Sequence, residues 1–284
     1  MPFIHWYPGH IAKAERKLRE QIGLVDVILE VIDARIPMSS RYDDIEKLTG
    51  NKPRLLIMNK ADLADPDLNF KWRNYLAEKT DFPVVLTSSS SQKDISSIVK
   101  ASVGLGDSKI AQLVAKGRLP RPIRVMVVGM PNVGKSSIIN KLIKTGKAIT
   151  GAKAGVTRAA QWIRVNPKME LMDTPGIIPM KLDNQEKAIK LAIVNSISEN
   201  AYDNIEIAEE LIKIISGRYT GALQRYYKTE KDKPLTLDSI AIARHWLLPA
   251  EAPDINRCAS MVLADFRHGR TGRFTLESMP EIPN

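Results

Sequence analysis

From residue 24 onward, short apolar runs alternate with stretches of helical spacing. Val25 to Ile32, Arg54 to Met58, Pro83 to Leu86, Ile123 to Val128 and Met169 to Met172 read as buried strands. Between them, 67–79, 94–102 and 135–145 read as helices. Strands alternating with helices predict an α/β fold: a mostly parallel sheet with helices on both faces. After Gly176 the pattern changes. The stretches 185–198, 204–216, 237–247 and 256–266 carry helical spacing, and only Arg273 to Leu276 looks strand-like. The chain therefore divides into an α/β domain over 1–182 and a mainly helical domain over 183–284. The basic segment 116–124 reads as an exposed connector inside the first.

Composition narrows the class. With 44% hydrophobic and 26% charged residues among 284, the chain is an ordinary folded one, not a disordered one. Its longest runs without Asp, Glu, Lys or Arg, 1–12 and Phe82 to Gln92, hold 12 and 11 residues. A spanning helix needs roughly 18 to 20 apolar ones, so we expect no membrane partner. His5, Pro8, Gly9 and His10 interrupt any apolar export core. The single cysteine, Cys258, excludes an intramolecular disulfide framework and points to a reducing, cytoplasmic setting.

Charge changes the picture more. The net +10 is uneven: residues 1–182 hold 29 Lys and Arg against 17 Asp and Glu, and residues 183–284 hold 13 against 15. Between Lys100 and Lys168 there are 14 basic side chains and one acid, Asp107. Such a concentration points to a polyanion, and without a basic amphipathic anchor nucleic acid is favoured over a membrane surface.

Four motifs carry chemistry. Gly129-Met-Pro-Asn-Val-Gly134-Lys135-Ser136 matches a phosphate-binding loop, set between a predicted strand and a predicted helix. Its glycines let backbone N–H groups curl around phosphates, and the helix start adds positive potential. Lys135 neutralises phosphate charge, and the Ser136 hydroxyl can ligate Mg²⁺. Asn132, Val133, Gly134 and Ser137 complete the candidate phosphate contacts. Asp173-Thr-Pro-Gly176 closes another strand: Asp173 can hold Mg²⁺ and the Gly176 N–H can meet the terminal phosphate. Asn59-Lys60-Ala-Asp62 also follows a strand, and a carboxylate there accepts paired bonds from guanine N1–H and N2–H₂ that adenine cannot offer. That selects GTP. Finally, a backbone amide within Thr87, Ser88 and Ser89 can meet the guanine carbonyl oxygen.

The four motifs are the signature of a translation-factor-type GTPase, in the wrong order. The base-reading pieces precede the phosphate loop, so the chain is similar to a circularly permuted P-loop GTPase. With Trp6-Tyr-Pro-Gly-His10 and Asp33-Ala-Arg-Ile-Pro37, it resembles the ribosome biogenesis GTPase A family over most of 1–182. The resemblance implies a GTP-hydrolysing assembly factor for the large (50S) ribosomal subunit, monomeric, binding rRNA in the GTP state and released on hydrolysis. An alternative is a nucleotide-gated RNA-binding scaffold whose hydrolysis is incidental. It also implies a threonine closing over Mg²⁺, best matched by Thr157, with Thr150 as the alternative. Asn132 resembles an asparagine that coordinates K⁺ beside the phosphates; it also suits a simple loop cap.

Ile177 and Ile178 follow Gly176, and neither can hydrogen-bond a water, so slow intrinsic turnover is expected. His10 is the leading candidate to position the attacking water, with a purely structural role as its rival. Because Asp173 to Gly176 lies just before the helical domain, nucleotide-driven movement there would feed directly into it. For RNA, Lys213, Arg218, Arg225, Lys228, Lys231 and Lys233 form one basic stretch, and Arg267, Arg270 and Arg273 a second. Tyr226 and Tyr227 beside Arg225 offer stacking faces, with core packing the competing role for at least one.

Overall fold

The computed structural model describes residues 4, 11–88, 93–145, 161–173, 176–177, 184–230 and 232–280. Among the described residues, seven strands form one sheet: β1 (Val27–Asp33), β2 (Arg54–Asn59), β3 (Val84–Leu86), β4 (Ile123–Gly129), β5 (Trp162–Asn166), β6 (Met169–Met172) and β7 (Gly176–Ile177). Their order is β3-β2-β1-β4-β6-β5, with β7 paired to the end of β4. Every pairing is parallel except β5 with β6. β1 and β2 are buried along their whole length, as strands covered on both faces must be.

Helices α1 (Ile11–Gly23), α2 (Ile45–Thr49), α3 (Pro66–Thr80), α4 (Lys93–Ala115) and α5 (Lys135–Thr145) accompany the sheet. Then come α6 (Gln185–Ile193), α7 (Asn204–Arg218), α8 (Ala222–Tyr227), α9 (Leu237–Ala243) and α10 (Ile255–Arg267). Local chemistry fixes many ends. The Asp65 carboxylate accepts the N–H groups of Asp67 and Leu68, and Pro66 opens α3 where no amide is needed. Asp203 caps α7, a Thr236–Ser239 capping box opens α9, and Asp254 caps α10.

Several elements depart from the sequence reading. α4 runs 13 residues past the expected end at 102, because Gly104 and Gly106 stay helical. Gly106 leaves room for β4: a Cβ there would sit 2.5 Å from Ile123 Cγ2. α6 stops at Ile193, short of 198, where the chain turns through Asn195 at φ 64°. The Arg273–Leu276 run is extended but joins no strand. Its amides bond to loops instead, Phe274 N–H to the Leu63 carbonyl (3.1 Å) and Leu276 N–H to that of Arg35 (2.8 Å). Nothing in the sequence reading anticipated α1, α2, α8 or the antiparallel β5. The buried hydrophobics of β1, β2 and β4 continue through α5 into α6, α7 and α10 as one cluster. Sheet and helices thus share a core.

Candidate functional site

Parallel strands deliver their following loops to one edge of the sheet. The order of strands reverses between β1 and β4, so the loops after them diverge and open a crevice. The loop after β4 is 130–134, those after β2 and β3 begin at Lys60 and Thr87, and Asp173 follows β6. The permuted motifs are therefore neighbours in space.

Specific bonds fasten them together. Asn59 Nδ2 donates to the Val133 carbonyl at 2.9 Å, and Thr87 Oγ1 donates to Asn59 Oδ1 at 3.0 Å. Lys60 Nζ donates to the Asn132 carbonyl at 2.7 Å. Gly134, at φ 99°, is compulsory here, since a Cβ would lie 2.1 Å from Asn59 Nδ2. Val133 is buried, while Ser136 and Ser137 are exposed at the start of α5. Lys135 is 8% exposed, its Nζ donating to the Met130 carbonyl at 2.6 Å. Burial lowers its pKa to about 8.

Asp62, Thr87 and Ser88 line a cavity of about 390 Å³ together with Phe70, Asp94 and Arg273. The Ser88 N–H donates to Asp94 Oδ2 (3.1 Å), and Lys141 Nζ donates to the Ser88 carbonyl (2.6 Å). Asp173 is exposed at the end of β6, its N–H bonded to the Gln161 carbonyl. Gly176 is wedged against α1 and β4: a Cβ would meet Leu18 Cδ1 and Met126 Cε, each at 2.7 Å. His10, Ser89, Thr150 and Thr157 lie outside the described residues.

Sequence reasoning gave Asp33 and Arg35 no role beyond the resemblance and passed over Asn195 and Ser196. Asp33, at the end of β1, accepts from the Arg35 N–H (3.0 Å), Arg35 Nε (2.9 Å), Arg35 Nη2 (2.8 Å) and Lys60 Nζ (2.9 Å). Burial opposes its ionisation, but the Arg35 and Lys60 charges prevail and hold the carboxyl well below the usual range. The Arg35 guanidinium also lies 5.2 Å from the centre of the Phe266 ring of α10. The Asp33-Ala-Arg35 run beside the switch point was the available signal. On the other side of the crevice, Asn132 Nδ2 donates to the Asn195 carbonyl (2.5 Å) and Ser196 Oγ to that of Pro131 (2.9 Å). No local pattern marks those contacts.

The second basic cluster is engaged within the fold. Arg267 bonds to Glu199 and to the Ala192 and Ile193 carbonyls that end α6. Arg270 pairs with Asp265, and Arg273 holds the Ala61 and Ala64 carbonyls. A guanidinium with five donors satisfies orphan helix-end and loop carbonyls, so Arg267 is an internal fastener, while Arg270 and Arg273 fasten the fold from exposed positions. Arg218 likewise bonds to the Thr275 carbonyl. Tyr227 is fully buried against Asp265, so it offers no stacking face.

Comparison with known proteins agrees with the geometry. Residues 124–237 match the family described as "50S ribosome-binding GTPase". Ribosome biogenesis GTPase A of Bacillus cereus is 38% identical over 284 residues, covering 98% of this chain and 95% of its own. A GDP-bound structure of YlqF superposes with a TM-score of 0.66 at 26% identity, covering 94% of this chain and all of its own. The GNP-bound crystal structure of YlqF from T. maritima gives 0.65 at 26% identity, over 95% of this chain and 100% of its own. With a 38% identical relative matched along nearly its full length, this chain belongs to the ribosome biogenesis GTPase A family.

Proposed function

We propose that the chain binds GTP in this crevice, hydrolyses it, and uses the cycle in assembly of the large ribosomal subunit. One observation carries the site: the bonds from Asn59 to Val133 and from Lys60 to Asn132. They hold the base-reading loop and the phosphate loop at one fixed spacing, which a nucleotide must match. The names of the relatives carry the biological setting.

In this reading Asp62 accepts from the guanine edge, and the loop of Thr87, Ser88 and Ser89 meets the guanine carbonyl. Backbone amides of 132–137 and the Lys135 ammonium hold the phosphates, and the Gly176 N–H meets the terminal one. Ser136 and Asp173, exposed hard-oxygen donors at the same sheet edge, suit Mg²⁺, with Thr157 as their third partner. Bound there, Mg²⁺ would neutralise charge developing on the phosphates. The Asn132 amide nitrogen is engaged by Asn195, which leaves its carboxamide oxygen for K⁺. His10 positions the attacking water, a task Ile177 and Ile178 cannot perform.

Exposed Lys100, Lys109, Lys116 and Arg118, on α4 and the connector after it, contact rRNA phosphates. Residues 1–182 act as the GTPase domain and 183–284 as the helical domain of a cytoplasmic monomer. The test is GTP turnover by the full chain with and without purified large ribosomal subunits. We expect slow hydrolysis alone and a marked rise with subunits. Absence of hydrolysis in both rejects the proposal. Hydrolysis indifferent to subunits, with RNA binding still dependent on GTP, favours the scaffold reading that the isoleucines at 177 and 178 leave open.

A further inference from the structure

After α10 the chain runs back along the loops that follow β1 and β2. Arg273 Nε donates to the Ala64 carbonyl and Nη2 to the Ala61 carbonyl, each at 3.1 Å. The next residues continue the contact: Phe274 N–H bonds to the Leu63 carbonyl (3.1 Å), and Thr275 Oγ1 accepts the Asp65 N–H (3.2 Å). Glu277 then takes the N–H groups of Met38 (2.7 Å) and Ser39 (2.9 Å). Residues 274–277 are buried against these loops, whereas Arg273 itself is exposed and lines the cavity that holds Asp62. Asp62 therefore sits between two carbonyls, those of Ala61 and Ala64, gripped by one guanidinium.

We propose that Arg273 is a positioning residue for guanine recognition, fixing the base-reading loop so that the Asp62 carboxylate presents both oxygens to the base. The proposal rests on the reading of Asp62 given above. Two simultaneous hydrogen bonds to N1–H and N2–H₂ demand a narrow carboxylate orientation. The six-residue loop 60–65 between β2 and α3 has few backbone bonds of its own, Ala61 N–H to the Thr87 carbonyl and Leu63 N–H to the Lys60 carbonyl. Side chains hold the rest: Asn69 Nδ2 and Arg273 both donate to the Ala61 carbonyl, and Arg273 to that of Ala64. The planar fork of an arginine satisfies two carbonyls at once, which a lysine ammonium does with less geometric definition. Because Arg273 belongs to a segment leaving α10, the helical region takes part in reading the base.

The experiment measures dissociation constants of GDP and IDP for the full-length wild type, Arg273→Ala and Arg273→Lys. IDP lacks the guanine amino group, so the GDP:IDP ratio reads the second Asp62 bond. A hydrogen bond to a carboxylate should make wild type prefer GDP by about tenfold or more. In Arg273→Ala we expect GDP affinity to fall about tenfold, IDP affinity to fall less, and the ratio to move toward one. Arg273→Lys should lie between the two. A general loosening of the fold would weaken both nucleotides equally. An alanine variant that keeps the wild-type ratio, whether or not both affinities drop, overturns the proposal alone. Wild type that binds GDP and IDP equally overturns the assignment of Asp62, and the proposal with it.

Discussion

At Asp62 the proposed chemistry is the match of two acceptors to two donors. Asp62→Asn places a donor where guanine also has one, and where xanthine has an acceptor. We therefore expect GTP affinity to fall and xanthosine triphosphate to be admitted, as competition titrations would show. Equal GTP affinity in the variant would remove Asp62 from the base site. Asp33 works differently: it is a buried carboxylate whose charge offsets those of Arg35 and Lys60. Asp33→Asn should destabilise the fold by roughly 3–5 kcal/mol in urea titrations, because Arg35 is left buried without its counter-charge. The same group has a pH signature. Its folded pKa is depressed, so its contribution is present above the unfolded value near 4 and is lost as pH falls below it. Acid melting curves should show that loss in the wild type and a shallower one in Asp33→Asn.

Among the elements, α4 shows most clearly how packing overrides propensity. Helical spacing predicts the helix only to 102, yet it runs through Gly104 and Gly106 to Ala115. Each glycine costs up to about 1 kcal/mol of helix propensity, which the contact of α4 with the sheet offsets. Gly106→Ala should cost about 1–3 kcal/mol despite the better propensity of alanine, because its methyl group collides with Ile123 on β4. A variant that melts higher than wild type would mean that α4 can move away from the sheet freely. The phosphate loop belongs to the same scale. Its carbonyls are held by Lys60 and Asn59 from one side and by Ser196 from the other. Gripped from two sides, the loop should pass a change at the phosphates to the segment just after α6 without a long lever.

In the whole molecule, the proposed function couples the basic window to the nucleotide crevice. Stimulation of turnover by large ribosomal subunits should vanish at high salt, since phosphate contacts weaken steeply as ionic strength rises. Replacing K⁺ with Na⁺ should slow turnover through Asn132, and single-turnover rates in the two salts would decide it. The motif runs, strands β1 to β4 and β6, and the α/β-then-helical order were legible in the sequence. Each rests on local requirements: a phosphate loop needs its glycines and lysine in line, and a buried strand needs consecutive apolar residues. Gly129 to Ser136 and Asn59 to Asp62 could be placed at the ends of β4 and β2 before any coordinates. What only the tertiary structure decided is which distant groups complete them. Arg273 reaches Ala61 across more than two hundred residues, Asn195 meets Asn132, and Arg267 closes α6 when its charge alone suggested RNA. A side chain's charge is written in the sequence, but its partner is chosen by the carbonyls and carboxylates that folding brings within about 3 Å.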